Sequence, residues 1–80
     1  MNFKKATDEL LASVTLEDLA SALGVHVQAV RQARAQQEAP GFRRPPPGWE
    51  KAAAKLARRR ADKLEQLAVK LESVAPNGAQ

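Results

Sequence analysis

Eighty residues with 13 basic, 9 acidic and no cysteine side chains make a small basic chain with room for one modest core. The absence of cysteine excludes a disulfide framework and a thiolate metal site and fits a reducing cytoplasm. No apolar run approaches the roughly 20 residues of a membrane span, and there is no signal-peptide apolar segment, so the expected location is cytoplasmic.

Charge is unevenly placed. Residues 1–41 carry four basic and five acidic side chains, residues 42–63 eight and two, and residues 64–80 one and two. The positive potential therefore sits on one internal segment, as expected of a nucleic-acid binder. Large apolar residues are few and alanine is abundant, which favours close-packed helices over sheets. The expected fold class is all-α.

Asn2 suits the N-cap of a first helix from Phe3 to Ser13, with Phe3, Leu10, Leu11 and Val14 near one face. Thr15-Leu-Glu-Asp18 has capping-box form and predicts a second helix, Leu16 to Leu23, with Leu16, Leu19, Ala20 and Leu23 inward. Gly24 can take positive φ and stop that helix within a turn, and Val25 plugs the corner. A third helix follows from Val27 to about Gln37, with Val30 and Ala33 inward.

The order Leu19-Ala-x-x-Leu23-Gly-Val25, with Val30 five residues on, resembles the helix-turn-helix of bacterial and phage regulators of the Cro/repressor type. Ala20 stands where that motif needs a small residue at the helix crossing. His26 departs from the small capping residue usual there. The resemblance implies a recognition helix over 27–37, whose outward residues would be Val27, Gln28, Arg31 and Gln32. Arginine can pair with the O6 and N7 of guanine, glutamine with the N6 and N7 of adenine, and a valine methyl with that of thymine. Arg34 would contact a phosphate, and His26 would either contact the DNA backbone or a base or be a surface histidine tolerated at the helix start.

Pro40-Gly41 ends this unit, and Phe42-Arg-Arg-Pro-Pro-Pro-Gly48 reads as a stiff polyproline-like spacer. Arg43 and Arg44 would form an arm along the DNA backbone or in a narrow minor groove, or be solvated linker residues. Phe42 and Trp49 are expected to fasten the spacer's ends to the core. The chain thus divides into residues 1–41, a 42–48 arm, a 49–75 helix and a flexible 76–80 tail.

From Trp49 to Val74 neither proline nor glycine intervenes, which predicts one long helix. Trp49, Ala52, Ala53 and Leu56 form a stripe that could dock on the preceding unit. Leu64, Leu67, Leu71 and Val74 follow a 3-4-3 seam expected to pair with a second copy; the competing reading folds the seam back within the chain. Extended backward, the register reads Arg60, Ala57, Ala53 and Glu50. Arg58, Arg59 and Arg60 point in successive directions. Arg58 and Arg59 are the expected phosphate contacts, with one of the triad paired to Asp62 or Glu65.

Catalysis has no support in this pattern: there is no glycine-rich phosphate loop and no nucleophile or histidine–carboxylate constellation. Neither a metal, a cofactor nor a small-molecule ligand is expected. The expected partners are double-stranded DNA and a second copy of the chain. The leading expectation is a homodimeric, sequence-specific transcriptional regulator, a repressor or autoregulator of a phage, plasmid or integrated element. The alternatives are an architectural DNA binder of low specificity and a protein-interaction module such as an anti-activator.

Overall fold

The computed structural model describes residues 1–75; the expected tail, 76–80, lies outside the described residues. Among these there are four helices and no strand: α1 (Phe3–Leu10), α2 (Leu16–Leu23), α3 (Val27–Ala33) and α4 (Trp49–Val74). The chain is all-helical.

The helix starts follow from local hydrogen bonding. The Lys5 N–H donates to Asn2 Oδ1 at 2.8 Å, satisfying a donor that the first turn leaves free. At α2 the box is reciprocal: the Asp18 N–H donates to Thr15 Oγ1 at 3.0 Å and the Thr15 N–H to Asp18 Oδ2 at 3.1 Å. Gly24, at φ +71°, closes α2 in the left-handed region, and the Val25 N–H donates to the Ala20 carbonyl at 3.0 Å. That bond spans the last turn and carries Val25 back toward the core.

Two expected ends move. α1 stops at Leu10 rather than Ser13, because the Ala12 and Ser13 N–H groups reach only three residues back, to Glu9 and Leu10. The tightened turn lets Val14 point inward, 9 % exposed, and frees Thr15 to cap α2. α3 stops at Ala33 rather than Gln37. The Gln32 carbonyl there accepts from the Ala35 N–H at 3.3 Å and the Arg43 N–H at 3.2 Å. The chain gives up the last helical turn so that Pro40-Gly41 can double back alongside α3.

Phe3, Leu19, Ala20, Val30 and Ala33 form the core, with Leu10, Leu11, Leu16, Leu23, Val25, Val27, Trp49 and Leu56 packed around it. Leu19 is fully buried. α2 touches both α3 and α4, and the N-terminal part of α4 also lies on α1. Trp49 meets Phe3 edge to face, with ring centroids 5.0 Å apart at 88°. Trp49 and Leu56 thus dock the expected stripe, with Ala52 and Ala53 half-buried beside them. Phe42 is half-buried and lines a shallow recess with Phe3, Ala33 and Pro45, so both aromatic residues flanking the spacer are held.

Beyond Leu56, α4 borders α1 only across an open groove as far as Leu64 and then projects from the molecule, which measures 57 × 21 × 19 Å. Every described residue from 57 onward is exposed. Leu64, Leu67, Leu71 and Val74 are 46, 49, 56 and 75 % exposed, so no described segment of the chain folds back over the seam.

Candidate nucleic-acid interface

The site is built on α3 and the segment that returns alongside it. Because Val30 and Ala33 point into the core, the helical period turns Gln28 and Arg31 outward, and both are exposed. Gln32 is half-buried. Its carbonyl receives the Arg43 N–H, which ties the start of the arginine–proline segment to the C-terminal end of α3. Arg43 and Arg44 are both exposed. The structure therefore brings together Gln28, Arg31 and Gln32 with the base of the Arg43–Arg44 arm.

Val27 and Arg34 sit differently from expectation. Val27, expected as an apolar base reader, is half-buried and packs on the core cluster. The removal of its apolar surface from water favours that position. Arg34, expected at a phosphate, is already engaged. Its Nε donates to Thr7 Oγ1 at 3.0 Å and its Nη2 to the Asp8 carboxylate, which Lys4 Nζ also approaches at 3.3 Å. Arg34, and then Lys4, hold the Asp8 carboxyl below its ordinary range. The guanidinium links α1 to the end of α3 and so sets how α3 is presented.

Thr7 completes that link and is missing from the residues singled out by sequence. It is fully buried, and its hydroxyl donates back to the Phe3 carbonyl at 2.8 Å while accepting from Arg34. A signal existed: Phe3, Thr7 and Leu10 share one stripe, so a polar side chain stood where the core needed a partner for it.

His26 occupies the N-cap position of α3, and its side chain makes no capping bond. Its carbonyl, however, accepts from the Ala29 N–H at 3.0 Å, and the imidazole is exposed. Arg58 and Arg59 are exposed on α4, which packs chiefly on α2 and α1, so they are not gathered onto α3. The expected pairing of the arginine triad with Asp62 or Glu65 does not form: among the described residues the ion pairs are Lys4–Asp8 and Arg34–Asp8. Arg60 and Lys63 instead lie toward Asp18 at the start of α2. The Thr15 backbone N–H and hydroxyl, with those two cations adding, hold the Asp18 carboxyl below its ordinary range.

Among the described residues no three His, Cys, Asp or Glu side chains gather as metal ligands, and no helix is long and apolar enough to cross a membrane. Against known proteins, the chain matches no family model, no curated protein and no solved structure.

Proposed function

We propose that this chain is a sequence-specific DNA-binding regulator of transcription that binds an inverted-repeat site as a homodimer. In this reading α2, Gly24 and α3 form a helix-turn-helix with α3 as the recognition helix. The observation that carries it is the polar face of α3. Gln28 and Arg31 are exposed on a short helix anchored from behind by Val30 and Ala33, with Arg43 tied to its far end. A guanidinium and an amide on a rigid element are the groups that read guanine and adenine in the major groove. Arg43 and Arg44 hold phosphates beside that helix, Arg58 and Arg59 add backbone affinity, and Arg34 keeps α3 in place. The seam Leu64, Leu67, Leu71 and Val74 pairs the two copies.

Selection of bound sites from random duplexes, followed by salt-dependent titration, tests this. A palindromic site held about 1,000-fold more tightly than random duplex at matched salt is the expected result. Equal affinity for both would favour an architectural binder, and the absence of binding to either would favour a protein-interaction module. Arg31→Ala should abolish discrimination among sites, and an even loss of affinity across all sites would overturn the base-readout assignment. Arg43→Ala with Arg44→Ala should weaken every duplex and flatten the salt slope by about two counterions.

A further inference from the structure

The exposed seam of α4 has its complement on the same molecule. Continued backward, the heptad register of Leu64, Leu67, Leu71 and Val74 passes through Arg60, Ala57, Ala53 and Glu50. All four line a groove of about 740 Å³ between α1 and α4, and Leu64 closes its end. Met1 and Leu10 stand on the α1 side. One helix face is therefore a channel floored by alanine in its first half and a ridge of large aliphatic side chains in its second. Among the described residues nothing covers the ridge and nothing fills the channel.

We infer that a second copy covers both: two α4 helices lie antiparallel, the ridge of each seated in the α1–α4 groove of the other. This rests on the homodimer reading above and gives it an architecture. Antiparallel seams pair an a position with a d position, so a single contact fixes the whole register. Placing Leu67 over Ala57 puts Leu71 over Ala53, Val74 over the stem of Glu50 and Leu64 beside Arg60. Large meets small at Leu67 and Leu71, and the two-fold axis passes at the level of Asp62. The flanking positions on one side are Ala54, Ala61 and Ala68, small enough to let the two backbones approach.

The parallel alternative uses much less of this surface. It would pair only residues 64–74, about 16 Å of helix at 1.5 Å per residue, under two heptads and short of the three or more of a stable coiled coil. It would also leave the groove open to water. The antiparallel pair engages residues 50–74. It also places the docked segments, residues 49–56, on opposite sides of the axis with centres about 28 Å apart at that same rise. That separation is comparable with the roughly 34 Å between successive major grooves on one face of DNA.

The chain has no cysteine, so introduced thiols report the arrangement directly. The double variant A57C/L67C should form an interchain disulfide on mild oxidation, because residues 57 and 67 are about 15 Å apart along one helix and cannot bridge within a chain. L67C alone should stay unlinked. Ala57→Glu should keep its helicity, since Ala57 is exposed, yet raise the dimer dissociation constant about 100-fold by placing a carboxylate under Leu67. Sedimentation and circular dichroism read both quantities. A dimer in which L67C alone cross-links, or one indifferent to Ala57→Glu, overturns the antiparallel groove and leaves the homodimer reading standing. A strictly monomeric unmodified chain overturns both.

Discussion

The α2–α3 unit and the second half of α4 are written in the same letters, leucine and alanine at helical spacing, yet they have opposite fates. Leu19 is fully buried, whereas Leu71 is 56 % exposed. The difference lies in what the chain can bring to each stripe. Two turns reverse direction between residues 10 and 27, folding α1, α2 and α3 onto one another, and the 42–48 segment returns α4 across them. After Leu56 no described segment packs closely enough on the helix to bury a side chain. An apolar stripe is a request for burial, and only connectivity decides whether the same molecule can answer it.

The sharpest test of the contrast is a pair of equivalent truncations. Leu19→Ala should cost about 3 kcal/mol of folding stability, enough to unfold much of a domain this small. Leu67→Ala should change monomer stability by less than about 0.5 kcal/mol and act only through association. Urea melts over a range of protein concentrations separate the two. A large concentration-independent loss for Leu67→Ala would break the contrast.

Next in size is Gly24→Ala, expected to cost about 1 kcal/mol because φ +71° strains an L side chain although no atom lies within 4 Å of the added Cβ. Gly41→Ala, likewise in open space but without the positive φ, should be close to neutral. Thermal melts of the two variants compare backbone conformation with packing in the folded half alone.

Thr7→Val keeps the shape of a buried residue but removes the hydroxyl that joins α1 to Arg34. A loss of about 1 kcal/mol is expected, with faster amide exchange at the end of α3 as the local readout. Unchanged exchange there would mean that α3 is held by Val30 and Ala33 alone.

Smallest is the acid response. Asp8 and Asp18 both have folded carboxyl values below the ordinary one, so the unfolded chain takes up protons first as pH falls. Their stabilisation is complete above the unfolded value of about 3.9 and is lost as pH falls from there through the lower folded values. Asp18→Asn should flatten the acid limb of the stability profile at α2.

Much of the fold was legible because its punctuation is local. Asn2, the Thr15–Asp18 box and Gly24 act within four residues of themselves, and the predicted start of each helix is where the structure has it. The ends of α1 and α3 were less legible. Each is set by where the chain must go next: Val14 into the core, and Arg43 back to Gln32. The candidate interface divides in the same way. Gln28 and Arg31 could be placed outward from the helical period once Val30 was inward. Arg34 could not, because its partners Thr7 and Asp8 lie 27 and 26 residues away in sequence.

The sequence by itself determined an all-helical chain, the starts of its helices, the polar side of α3 and the concentration of positive charge between residues 42 and 63. Those features rest on backbone sterics, capping hydrogen bonds and the 3.6-residue period, all of them short-range. The tertiary structure alone decided that Val27 leans into the core, that Arg34 serves α1, and that the leucines of α4 stand uncovered beside an alanine-floored groove. Burial and pairing between distant segments depend on which surfaces the connections bring into contact, and no local pattern encodes that.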